Sequence, residues 1–274
     1  MLPYVKKYVI LACVIAVALP FAVSTVWPML TGQMMAASIG GLVLMLALFF
    51  GGLIAGVRIM GRKADEFADG LIALYDEGCD PRAFTDAAHD IASSITAPFT
   101  PSGAWFLSYY AQALLDQGLI EKAEHLRSMM FESIAGSKRI ADQVSIIVDL
   151  VPLTTKLKGP ADALPVTEKG IDLIGASSDP QMVIQKDFLV GQAQIMRSKI
   201  EGELDGLAML YHDVVSREIV PMRVRVESAW EEARIHFDRG DVVRERESLD
   251  FVVKHGGGLA LVGPARARLA DLSI

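Results

Sequence analysis

Between Tyr8 and Val57 the chain contains no Asp, Glu, Lys, Arg or His. A stretch of this length without an ionisable side chain suits the hydrocarbon core of a bilayer better than the interior of a small soluble domain. It divides into two apolar runs, residues 8–27 and 34–57, joined by WPMLTGQ. Each run matches the roughly 20 residues with which a helix crosses a membrane. The short link makes the two antiparallel, so the expectation is a transmembrane hairpin over residues 1–63. Lys6 and Lys7 precede the first run, Arg58, Arg62 and Lys63 follow the second, and the link is uncharged. The positive-inside rule then places both termini and residues 64–274 in the cytoplasm, as in a multi-pass protein of a bacterial inner membrane. A cleaved signal peptide ending near Ala22-Val23-Ser24 is the competing reading of the first run. With no ionisable group the spans offer no proton relay or ion path. Gly52 with Gly56, and Ala36 with Gly40, are pairs of small residues that let helices approach closely.

The charge lies elsewhere. All 33 acidic residues and 21 of the 26 basic ones follow residue 63, giving that part a formal net charge of −12. Residues 217–274 balance at ten of each sign, so the acidic excess sits in 64–216. Such a surface repels phosphate backbones, which excludes nucleic acid as the expected partner. Two cysteines, Cys13 and Cys79, are too few for a disulfide framework.

Prolines punctuate the acidic part. Asp80-Pro81, Thr100-Pro101 and Asp179-Pro180 each set a capping side chain before a proline, where the ring's missing N–H costs nothing. With Gly159-Pro160 and Gly263-Pro264 they predict helix starts near 81, 101, 160, 180 and 264. Helical spacing of apolar residues runs through Phe67, Leu71, Leu74 and Tyr75, through Leu107, Ala111 and Leu114, and through Ala123, Leu126, Met130 and Ile134. Val226, Trp230, Ala233 and Phe237 repeat it, so MRVRVE at 222–227 reads as helix despite its alternation. Residues 138–178, with prolines and glycines in VPLTTKLKGPADALPVTEKG, predict short helices joined by loops. The fold class expected after residue 63 is all-α.

Three turns share one form: LYDEG at 74–78, LLDQG at 114–118 and HFDRG at 236–240. Each closes an amphipathic helix with a glycine suited to the left-handed conformation. The first two are 40 residues apart and the third follows after 122, close to three more intervals. Helix-turn-helix units at that period mark an α-solenoid. SGAWFLSYYAQALLDQGLIEKAEHLRSMM, residues 102–130, resembles a tetratricopeptide repeat, with Ala111 and Ala123 at the small positions and Gly118 at the turn. ESAWEEARIHFDRGDVVRERESLDFVV, from 227, is similar around Ala233 and Gly240 but has Glu245 where a small residue belongs. DEFADGLIALYDEGCDPRAF resembles it less, with Leu71 at the first small position. The resemblance covers about half of 64–274 and implies a concave helical surface that binds peptides or proteins. An irregular helical bundle is the alternative architecture.

Chemistry is sparse. His89, His125, His212, His236 and His255 show no metal-ligand spacing, and HExxH and CxxC are both absent. His125 and His236 lie beside the buried stripes. Cys79, just before a helix start, reads as a small apolar residue in a tight turn rather than as a reactive thiol. KHGGGLALVGPAR, 254–266, fits neither nucleotide fingerprint and reads as a flexible break before a short terminal helix. No catalytic, metal or cofactor residue is nominated, and the chain is not expected to be an enzyme. The expected function is a membrane-anchored adaptor or assembly factor that binds a protein or peptide partner, with lipid contact through residues 8–57. A structural subunit of a larger membrane complex is the alternative, and self-association is left open.

Overall fold

The computed structural model describes residues 66–96 and 100–272, and the regular structure in them is α-helical throughout. Contacts separate a unit Met1–Gly70 from a second unit Leu71–Ile274, and the second is the subject below. Among the described residues there are eleven helices: α1 over 66–76, α2 Pro81–Ser94, α3 Pro101–Asp116, α4 Ile120–Gly136, α5 Ile140–Lys158 and α6 Pro160–Ile174. Then come α7 Pro180–Glu201, α8 Leu204–Ser216, α9 Met222–Asp238, α10 Val242–His255 and α11 Val262–Asp271.

One part of the expected fold class is corrected. Among the described residues no helix is long and apolar enough to cross a membrane. The two described helices that reach 18 residues both carry charges along their length, Asp142, Asp149, Lys156 and Lys158 on α5 and Lys186, Asp187, Arg197 and Lys199 on α7. Among the described residues, then, nothing corresponds to the two-span hairpin or to the multi-pass inner-membrane placement. The runs 8–27 and 34–57 on which they rested, with Cys13, lie outside the described residues.

Four of the five proline signals mark helix starts directly, at Pro81, Pro101, Pro160 and Pro180; Pro264 is the third residue of α11. Asp80 accepts from the Ala83 N–H, Thr100 from Gly103, and Asp179 from Gln181 and Met182, so side chains satisfy otherwise orphaned donors. Residues 138–178 depart from expectation by forming two long helices, α5 and α6, with Pro152 and Pro165 inside them. An interior proline costs about 3 kcal/mol. Burial of Val144, Ile146, Ile147, Leu150, Val151 and Leu153 along α5 outweighs that cost.

The turn pattern runs further than its sequence form. Gly118, Gly159, Gly202 and Gly240 all have positive φ and follow one another at 38–43 residues. They end α3, α5, α7 and α9. In the first turn the left-handed position falls on Cys79 (φ 48°) rather than Gly78, because this turn holds one more residue. Asp80 N–H bonds back to Leu74 O, six residues, where Leu119 and Asp241 bond back five. The chain is therefore helical-repeat-like: five helix pairs, α1/α2 to α9/α10, with α11 at the end.

Adjacent helices pack together throughout, most loosely between α7 and α8. Ala111, Ala123 and Ala233 are buried where small residues were expected. Glu245, the exception, is buried too, because Arg268 of α11 meets its carboxylate at 2.6 and 3.2 Å. One core cluster extends from Leu71 to Ala265, and a smaller one joins Leu207 and Ala208 of α8 to Ile235 of α9. The glycine-rich segment after α10 is packed rather than free. Gly258 N–H donates to Cys79 O at 2.8 Å, and a Cβ on Gly257 would stand 2.7 Å from that same oxygen. The first turn of this unit thus touches its last loop, beyond the nearest-neighbour contacts that define an open array.

Candidate functional site

Helix α9 has two polar sides, and it organises the site. Arg223 and Glu227, four residues apart, share one face, whereas Glu232 and His236 lie on the opposite face.

The first face enters a buried charge network. Arg223 Nε donates to Asp76 Oδ1 at 2.8 Å, and its second arm reaches Glu227 at 3.2 Å. Lys156 Nζ bridges Glu227 Oε1 at 2.9 Å and Asp116 Oδ2 at 2.8 Å. Tyr75 donates to Asp116 at 2.6 Å and Tyr109 to Asp76 at 3.3 Å, while the Arg223 guanidinium lies 4.6 and 5.3 Å from the two ring centres. Asp76 and Asp116 are the aspartates of the first two repeated turns, so the motif delivers its carboxylates to one cluster. Burial opposes the Lys156 charge, but Glu227 and Asp116 outweigh it and hold the ammonium above its ordinary pKa. Burial likewise pushes the Glu227 carboxyl up, and Lys156 with Arg223 more than reverses it. Burial raises the Tyr75 and Tyr109 hydroxyls, and the acceptors Asp116 and Asp76 add to it. These groups are engaged with one another and tie α1, α3, α5 and α9 together.

The second face opens on a cleft of about 580 Å³ between α8, α9 and α10. Ala208, Met209, Val215 and Phe251 supply its apolar walls. Glu232, His236 and Ser248 are buried polar residues in its lining, joined by the exposed His212. Helix α8 is pinned to α9 at both ends. Arg239 pairs with Asp205 near the start of α8, and Arg225 Nε donates to Val215 O at its end, at 2.9 Å. Lys199 of α7 adds a bond to Glu231 at 2.8 Å and lies over the Tyr211 ring.

Within the cleft His212 Nδ1 stands 3.0 Å from Glu232 Oε1. His236 Nε2 is 3.7 Å from the same oxygen, and His236 Nδ1 is 4.0 Å from Asp241 Oδ2. Both His236 distances exceed a hydrogen bond. Its Nδ1 is buried without a hydrogen-bond partner among the described residues.

The remaining titratable candidates fall elsewhere. Burial pushes the Cys79 thiol up to about 11, which keeps it protonated and unreactive. His89 faces the Tyr110 hydroxyl at 3.2 Å, His125 is exposed, and His255 packs against Phe251. Burial, then Lys254 and Arg225, lower the His255 pKa. Burial alone raises the Asp149 carboxyl on α5 to about 7. Among the described residues no group of three or more His, Cys, Asp or Glu side chains is placed to hold a metal ion. Sequence spacing did not single out His212 and Glu232. The four-residue step from Glu232 to His236 was visible, but His212 arrives from α8 across a chain reversal. Comparison of the chain with family models, with curated proteins and with solved structures finds no match in any of the three.

Proposed function

We propose that this chain is a binding protein, a tetratricopeptide-like array of helix pairs that holds a segment of a partner polypeptide in the cleft between α8, α9 and α10. It works by capture rather than by catalysis. The cleft carries this reading: about 580 Å³ opens between three helices, with four apolar side chains set among charged ones and with Glu232, His236 and Ser248 buried in its lining. The repeated left-handed glycines and the buried alanines at Ala111, Ala123 and Ala233 support the array. Against catalysis, the strongest charges, Arg223, Lys156, Asp116 and Asp76, are mutually paired, and the described cysteine is buried and protonated.

Selection of a displayed random-peptide library on the full chain tests the proposal. Met209, in the cleft wall and 74% exposed, tolerates substitution without loss of core, and so does Ile184 of α7, 63% exposed and outside the cleft. Selected peptides should bind Met209→Asp about tenfold or more weaker, and Ile184→Asp as well as the parent chain. An empty selection, or peptides indifferent to Met209→Asp, overturns the proposal.

A further inference from the structure

In its neutral form His236 is one donor short. It is 3% exposed and stands between two carboxylates, Glu232 at 3.7 Å from Nε2 and Asp241 at 4.0 Å from Nδ1. A neutral imidazole carries a single N–H. Whichever nitrogen holds it, the other turns a lone pair toward a carboxylate, acceptor against acceptor. Glu232 has the complementary deficit: it is 7% exposed, and its ion-pair partners among the described residues are the two histidines, with no Lys or Arg. Buried carboxylates are normally matched by a cation or several donors. Arg239 and Arg244 also line the cleft, but they pair with Asp205 and Asp241, so Glu232 and His236 still lack a positively charged donor.

We propose that the cleft recognises a primary ammonium, the side chain of a lysine in the partner polypeptide, seated against Glu232 and His236. This rests on the binding function above and names its ligand chemistry. Ala208, Met209, Val215 and Phe251 offer apolar wall to the four-carbon stem, which lysine buries readily while its charge is held elsewhere. An ammonium has three rotatable donors and no fixed plane, whereas a guanidinium is best matched by a carboxylate with both oxygens free. Here His212 already occupies Oε1 of Glu232. The ammonium is thus the better fit of the two.

The test uses the full chain, with Nα-acetyl-lysine methylamide as probe and the ring resonances of His212 and His236 as readout. The probe should shift both rings saturably. Its Nε-acetylated form should bind about tenfold weaker or worse, as loss of a charge-assisted hydrogen bond implies. The arginine analogue should also be weaker. Glu232→Gln should weaken the lysine probe by about tenfold as well. Because acetylation alters the probe and not the protein, that comparison stands even where the variant misfolds. Equal affinity for the acetylated probe, no saturable shift, or a His236 ring carrying two protons without ligand would each overturn the assignment. Stronger binding of putrescine than of the lysine probe would overturn the peptide source and leave a free diamine. Selected peptides that need Met209 but ignore lysine acetylation would sink the lysine while leaving the binding function intact. Failure of both experiments would sink both.

Discussion

Asp149 allows a quantitative test of how this fold treats a charge. Its backbone carbonyl accepts from Ser108 Oγ at 2.6 Å, but its carboxylate has no hydrogen-bond or ion-pair partner among the described residues. Burial raises its pKa to about 7, against about 3.9 for an unfolded chain. The folded protein therefore keeps a proton that the unfolded chain has given up across that interval. By linkage, the contribution to stability is whole below pH 4 and is lost as pH rises toward 7. The loss reaches about 4 kcal/mol at pH 8 and about 1.5 kcal/mol at pH 5, upper limits because part of the group touches water. Asp149→Asn keeps the shape and removes the titration. The variant should gain stability over the parent at both pH values, and the gain should be larger at pH 8 by up to about 2.5 kcal/mol. Urea unfolding of the full chain at the two pH values, followed by circular dichroism, measures the difference. The carboxyl carbon resonance of Asp149 gives the pKa directly. Parallel pH profiles for parent and variant, or a carboxyl titrating near pH 4, would refute the reasoning.

Thr154 Oγ1 is buried with no hydrogen-bond partner among the described residues, so Thr154→Val should stabilise the chain by about 1 kcal/mol in urea unfolding. Gly170 lets α5, α6 and α7 close: a Cβ there would lie 2.7 Å from Leu189 Cδ1 and 2.8 Å from Ile147 Cγ2. Gly170→Ala should cost about 1–3 kcal/mol despite alanine's better helix propensity, and a stabilised variant would show that these helices can part freely. Arg223→Ala strands the buried Asp76 and leaves Glu227 to Lys156 alone, and should cost about 3–5 kcal/mol, read from the same unfolding curves. Cys79 should resist maleimide in the native chain at pH 7 and react on unfolding, since its thiol sits at about 11; rapid native labelling would contradict the buried turn.

What the sequence made legible was local. Asp80-Pro81, Thr100-Pro101 and Asp179-Pro180 announced helix starts because cap and ring act within one turn of chain. Gly118 and Gly240 announced helix ends for the same reason. Gly159 and Gly202 make equivalent turns but follow Lys-Leu-Lys and Lys-Ile-Glu, so the shared glycine conformation had no shared side-chain pattern to reveal it. Pro152 and Pro165 mislead because a local rule is overridden by the broad buried face of α5 and the buried stripe Ala163, Thr167, Gly170 and Ile174 of α6, a tertiary property. The charge network was equally hidden. Asp76 reads as a turn residue, but its partner Arg223 lies 147 residues away, inside a segment whose alternation resembles that of a strand.

Helix α9 is the reason for proposing the cleft, rather than the network, as the functional side. Both faces bury charge, and buried charge is retained at a cost unless it is matched. On one face the matching is complete: Arg223 meets Asp76 and Glu227, and Lys156 meets Glu227 and Asp116. On the other, Glu232 is left to two histidines and a ring nitrogen of His236 has no partner. The two faces share one helix, so the imbalance does not come from a poorly formed segment. Breaches of local matching in a folded protein concentrate at sites of function. The matched face holds α9 in place against α1, α3 and α5. That support lets the unmatched face keep its deficit facing an open cleft, and under the lysine proposal the incoming cation removes it, so that the binding energy is the penalty relieved.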